Sequence, residues 1–306
     1  MIMVVNTRLR AIYFSILFIW IGVFFLSLSF LMHLFDFWFW SRNAPNILQN
    51  HTAQGIYFSL AALMCIVLVR EQKSTATTPW LKALAILFFL NTFFVTDGRT
   101  GYLIGGLCLI SSVIIFSGQS KIRLKEVLAG SFVILIVITL SVIFDLPLKN
   151  GVELGFTNLI NAFEADSHSS AGIRTIMWYY TAQMIANDWL FGTGSGGFEI
   201  GYTAVVAGVK GWHGTITNNP HQQYLQIMAE YGLIGLILFL GFLAHLCRYI
   251  LGESKGTYKI SLIVILSSYI AMSMFNGVFT GPIAARLFWF LVPIIMALDE
   301  TAHKTR

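Results

Sequence analysis

The chain has 306 residues, of which 57% are hydrophobic and only 11% charged, and its mean hydropathy of +0.75 excludes a soluble globular domain. Several apolar runs reach or approach the roughly 20 residues needed to cross a bilayer as a helix, and they lack the alternation of barrel strands. The formal net charge of +5 raises nucleic acid as a partner, but the placement of the basic residues makes it a topology signal, and no nucleic-acid partner is expected.

The first apolar run, from about Ala11 to about Leu34, follows Arg8 and Arg10 and has no small-residue cleavage site behind it. It reads as a retained span and not as a signal peptide. Further spans are predicted at about 54–69, 80–96, 100–117 and 126–144, and, after a long connection, at about 226–247, 260–276 and 284–298. Eight spans put both termini on one side. Of the 19 Lys and Arg residues, thirteen fall on that side and six (Arg42, Arg99, Lys149, Arg174, Lys210 and Arg286) on the other, so the termini are expected in the cytoplasm. The expectation is an all-α polytopic membrane protein, with about eight transmembrane helices and one long, partly helical periplasmic loop. Its parts are a five-helix membrane part over 1–144, the periplasmic loop over 145–223 and a three-helix membrane part over 224–306. Loops of that length without spans usually carry function.

Three polar features lie on the predicted outer face. In "TDGRTGYL", residues 96–103, Arg99 sits at a tight turn between two spans. It either pairs with Asp97 to fix the turn or offers a planar fork to a phosphate or pyrophosphate. In the stretch 170–202, Arg174 and Trp178 share a face at i, i+4 of an amphipathic helix that ends in a turn rich in glycine: Gly192, Gly194, Gly196 and Gly197. A nucleotide loop would follow a strand, whereas this one follows a helix, so it reads as a tight turn whose backbone lies close to a ligand or another helix.

The third feature is "NNPHQQYLQIMAEYGLIGL", residues 218–236. Asn219 suits an N-cap, Pro220 the first helical position and Gln222 the third. That places His221 in the first turn, where the helix dipole and free N–H groups favour a neutral imidazole able to accept a proton. Gln222, Gln226 and Glu230 follow as a polar stripe running toward the membrane, and Glu230 should face protein or water. Nearby, Lys210, Trp212 and His213 stand in "VKGWHG", and His213 lies close enough to His221 in the sequence to be a further candidate.

All three cysteines lie in apolar runs, and the chain has no Asp-x-Asp, Cys-x-x-Cys, His-x-x-x-His or Gly-x-Ser-x-Gly. Neither a metal site, a cofactor nor an esterase elbow is therefore expected.

"PHQQYLQIMAEYGLIGLILF", "DGRTGYL" and "IRTIMWYYTAQMIANDWLFGTGSGGFEIGY" together resemble the O-antigen ligase and polymerase superfamily, in the right order over roughly residues 95–245. The resemblance implies transfer of an undecaprenyl-pyrophosphate-linked glycan onto lipid A–core. The same superfamily includes polymerases that lengthen the lipid-linked glycan and enzymes that glycosylate protein. It puts His221, Arg174 and Arg99 on the functional positions. Within that reading Lys210, Trp212 and His213 either contact the acceptor sugar or hold the loop together, and the expected substrate-binding residues are Arg99, Arg174, Lys210, His213, Gln222 and Glu230. Members usually have more spans than eight, so further helices are expected upstream of Met1. A transporter of the lipid-linked glycan and a non-catalytic scaffold are the alternatives from other classes. A transporter would show paired repeats with broken helices at the midplane.

Overall fold

The computed structural model describes residues 8–35, 47–48, 51–71, 77–96, 98–117, 124–143 and 170–304. Asp97, Arg42, Lys149, His168, the first part of the long connection and the side chain of Trp212 lie outside the described residues. Among those described, the chain is all-helical. Ten α-helices run in order: α1 (Arg8–Phe35), α2 (His51–Glu71), α3 (Thr78–Phe94), α4 (Arg99–Phe116), α5 (Leu124–Ile143), α6 (Ser170–Asn187), α7 (Phe198–Val205), α8 (Gln223–Glu253), α9 (Gly256–Ser273) and α10 (Pro282–Lys304). Seven of these are long and apolar enough to cross a membrane, and α3, with 17 residues, is a shorter apolar helix. The chain is a multi-pass membrane protein.

The helices fall into two compact units. The first comprises Met1–Glu153, Ile250–Ser268 and Arg286–Arg306. At its centre α2 is enclosed, with every residue from Ala53 to Leu68 buried, as expected for a helix that is apolar on all sides. Close approach to α4 is made possible by two glycines: a Cβ on Gly55 would stand 2.7 Å from the Gly101 Cα. Small residues let transmembrane backbones touch where lipid supplies no hydrophobic drive between helices. Near the same end a buried network joins α1, α2 and α3. Gln54 Nε2 donates to Ser29 Oγ (3.2 Å) and Thr96 Oγ1 (3.1 Å), Asn91 Nδ2 donates to Ser29 Oγ (3.0 Å), and Thr96 Oγ1 donates to Asn91 Oδ1 (3.0 Å). At the far end of α2, Arg8 pairs with Glu71 at 2.6 Å.

The second unit comprises Leu154–Tyr249 and Tyr269–Ala285. Its small core packs Met184 of α6, Phe198 and Tyr202 of α7, Val206 and Ala229 of α8, with the Phe198 and Tyr202 rings stacked at 5.7 Å. The long helix α8 is interrupted at Gly232, where φ is 63° and ψ −166°, a conformation that essentially only glycine adopts.

The turn after α6 fills that interruption. The N–H groups of Thr193 and Gly194 donate to the carbonyls of Ala229 and Glu230 at 2.9 and 2.8 Å, while the N–H of Leu233 donates to the Trp189 carbonyl at 2.9 Å. The approach is so close that a Cβ on Gly232 would lie 2.1 Å from the Leu190 carbonyl oxygen, and one on Gly192 would lie 2.5 Å from the Glu230 carbonyl carbon. The reading of the glycine turn as lying against another helix is thus realised, and that helix is α8.

Gly232→Ala should therefore destabilise the protein by about 2–4 kcal/mol, combining backbone strain with a clash. Gly241→Ala in the same helix meets nothing within 4 Å and should leave stability unchanged. Thermal unfolding of both variants in detergent checks this, and equal melting temperatures would contradict it.

Candidate functional site

The polar collar that leads into α8 does not start the helix where the sequence pattern places it. α8 begins at Gln223, because His221 has φ 54° and a left-handed residue interrupts any helix begun at Pro220. Asn219 is not the cap: its Oδ1 accepts the His221 N–H at 2.6 Å, closing a local turn. Gln222 does the capping, its Oε1 accepting the Leu225 N–H at 2.5 Å. His221 thus stands just ahead of the helix and not inside its first turn.

Three contacts fix this strained residue. Thr217 Oγ1 donates to the Asn219 carbonyl at 2.9 Å. Trp178 Nε1 of α6 donates to the Pro220 carbonyl at 2.9 Å. From behind, the turn after α9 holds the start of α8, with Gln223 Oε1 accepting the Phe279 N–H at 2.8 Å and Gln226 Oε1 accepting the Thr280 hydroxyl at 3.1 Å. Gly277 lets this turn come close, since a Cβ there would sit 2.9 Å from Asn219 Nδ2. A non-glycine residue at positive φ needs such support, and strain of this kind clusters at functional sites.

Electrostatics act on the same ring. His221 is largely exposed, yet partial burial, the larger cause, and the Arg174 guanidinium both lower its pKa below the ordinary 6.5. Both effects disfavour the imidazolium and favour the neutral ring. Arg174 and Trp178 lie one turn apart on α6, so one face of that helix supplies both the cation beside His221 and the hydrogen bond that holds Pro220.

The sequence now gains its family. It matches the O-antigen ligase family over residues 84–240, which takes in most of α3, all of α4 and α5, the long connection and the first half of α8. The chain belongs to that family. The family is one of membrane glycosyltransferases of the O-antigen ligase and polymerase type, so the chain is a glycosyltransferase-like membrane enzyme that works on lipid-linked glycan. No curated protein gives a match.

The other expected site residues are placed as follows. Arg99 is exposed at the first position of α4 in the first unit, behind Gly98, and the Tyr102 hydroxyl braces that turn by donating to the Thr96 carbonyl at 2.9 Å. Arg174, Lys210, His213, Gln222 and Glu230 share the second unit with His221. Lys210 is exposed and His213 half-buried, on the 3₁₀ turn Gly211–Gly214 and its approach. Glu230 is buried, its carboxylate against the backbone N–H groups of Gly196 and Phe198 at the start of α7. It meets a loop helix, so of the two surroundings expected for it, protein or water, it has protein. Among the described residues no group of three His, Cys, Asp or Glu is placed to hold a metal ion.

Two contributors escape sequence reasoning. Trp178 is legible only as a neighbour of Arg174, and its bond to Pro220 depends on folding. Gln223 and Thr280 stand 57 residues apart, and a Gly–Thr turn between two spans gives no signal of its own.

Arg174→Met should raise the His221 pKa toward 6.5, because a like charge has been removed. Nitrogen chemical shifts of labelled histidine, followed through a pH titration in detergent, read this directly. An unchanged or lower pKa would show that Arg174 does not act on the ring.

Proposed function

We propose that this chain transfers an undecaprenyl-pyrophosphate-linked glycan onto lipid A–core at the periplasmic face of the bacterial inner membrane, with inversion and without a metal ion, its termini lying in the cytoplasm. The observation that carries the proposal is the left-handed backbone of His221, φ 54°, held by Asn219 and by the Trp178 bond to Pro220, with the Arg174 guanidinium one turn before Trp178 disfavouring the imidazolium.

In this scheme the neutral His221 takes the proton of an acceptor hydroxyl as that oxygen attacks the anomeric carbon. The bond from that carbon to the pyrophosphate oxygen breaks, and its electron pair leaves with undecaprenyl pyrophosphate. Arg174 stabilises the charge that develops there, and the resemblance assigns Arg99 the same task. A single displacement from the opposite face inverts the anomeric centre. His221 then releases its proton to water. Lys210, His213 and Gln222 are assigned to the acceptor side, together with Glu230, whose carboxylate also braces α7.

Chain-lengthening of the lipid-linked glycan and glycan transfer to protein use the same donor chemistry and differ in the acceptor alone. Transport of the lipid-linked glycan draws support from the interrupted α8, since broken helices mark many transporters. Against it, the backbone groups freed at Gly232 are taken up by the 189–194 turn and not left for a solute.

The purified protein in detergent, given undecaprenyl-pyrophosphate-linked glycan and lipid A–core, should move glycan to the acceptor. His221→Ala should lower the rate by about 10²–10⁴-fold, the usual contribution of a general base, with donor binding retained. EDTA should have no effect. Because the base works deprotonated and its pKa lies below 6.5, activity should hold down to pH 6.5 and fall only as pH drops through that lower value. Full activity of His221→Ala, or loss with EDTA, would overturn the mechanism. Longer lipid-linked products without transfer would make the chain a polymerase.

A further inference from the structure

The turn that fills the break in α8 also carries two large apolar side chains that stand exposed among the described residues. Trp189 is 54% exposed and Phe191 71% exposed, on either side of Leu190. Such exposure is costly in water and calls for a partner.

Hydrogen bonding fixes the height of the turn along α8. The Trp189 carbonyl accepts the Leu233 N–H at 2.9 Å, and the Thr193 N–H donates to Ala229 at 2.9 Å, so the turn sits level with residues 229–233. That is where α8 changes character. No Asp, Glu, Lys or Arg occurs between Glu230 and Arg248, and residues 231–247 at about 1.5 Å each extend roughly 25 Å, close to the thickness of a hydrocarbon core. In the first turns below the break the exposed residues of α8 are aliphatic: Ile234, Ile237, Leu238 and Leu240. At the break Tyr231 is 43% exposed, and its hydroxyl donates to Ser195 Oγ at 3.1 Å. Above it the collar is polar.

Trp and Tyr concentrate at the boundary between lipid head groups and acyl chains, where a ring can be half apolar and half wet. We propose that the 188–193 turn is seated in the bilayer, with Trp189 and Phe191 in the head-group boundary of the leaflet on the His221 side. The connection between α5 and α8 is then fastened to the membrane as well as to α8. It follows that His221, at φ 54° ahead of the same helix, stands beyond Gln223, itself about 14 Å above that boundary, counting the nine residues from 223 to 232 at the helical rise. This inference does not depend on the glycan-transfer reading, and its test requires no substrate.

The test places a nitroxide at Phe191→Cys, and at Lys210→Cys for comparison, in a background carrying Cys65→Ala, Cys108→Ala and Cys247→Ala. The protein is reconstituted in vesicles of phosphatidylethanolamine and phosphatidylglycerol. Collision with oxygen, which partitions into lipid, should exceed collision with a water-soluble nickel chelate severalfold at 191, and the order should reverse at 210. A position 191 as open to nickel as 210 would overturn the proposal, and so would one closed to both reagents, as cover by a second copy of the chain would make it. Phospholipids brominated near the glycerol end should quench the intrinsic fluorescence, and Trp189→Phe should remove part of that quenching. Equal quenching in wild type and variant would also overturn the proposal.

Discussion

The second unit depends on one break in one helix. An α-helix interrupted in or beside a membrane frees carbonyls on one side and N–H groups on the other, and in lipid each must find a partner or cost several kcal/mol. At Gly232 that demand is met by the backbone of the turn after α6, which both donates and accepts. The arrangement works only with glycine on both faces of the contact, Gly192 and Gly232, because neither leaves room for a Cβ. What looks like a defect in α8 is therefore the docking point of the long connection. From it follow the position of α6, whose end leads into the turn, and that of α7, whose start meets Glu230.

The histidine depends on that docking at one remove. With α6 held at its C-terminal end against α8, its Trp178 and Arg174 are brought to the collar that precedes α8, where one bonds Pro220 and the other acts on His221. Asn219 and the turn after α9 complete the support. A left-handed histidine costs of order 1–3 kcal/mol, and bonds from three separate segments offset it. The geometry thus leaves the ring partly open while fixing its backbone firmly, which suits a group that must meet a substrate from outside.

Much of this was legible in the sequence, for identifiable reasons. Length and polarity disclose spans, so the helices came out close to their observed limits. Arg174 and Trp178 at i, i+4 placed two side chains on one face without any tertiary information. The glycine cluster announced a close backbone approach, since only that justifies so many residues without side chains. The start of α8 was misjudged because Asn-Pro at 219–220 is a strong cap signal on its own. The competing demands on Asn219 and Pro220, from the His221 N–H and the Trp178 ring, are invisible in one dimension. The break at Gly232 was hidden for the same reason: a glycine inside an apolar run looks like a small interfacial residue until its dihedral angles are known.

On the proposed chemistry, the placement of Arg174 couples two requirements that would otherwise conflict. A general base must be unprotonated before reaction, which a neighbouring cation favours, yet it must become a better proton acceptor as the acceptor hydroxyl loses its proton. A pyrophosphate on Arg174 supplies the change. Its charge offsets the guanidinium, so the imidazolium that forms no longer faces an uncompensated cation, and the charge grows on the leaving oxygens as the glycosidic bond breaks. The base therefore strengthens only where a donor is present. In the absence of donor the same ring stays a weak base, and proton transfer from water or from an acceptor without a partner gains nothing from the site.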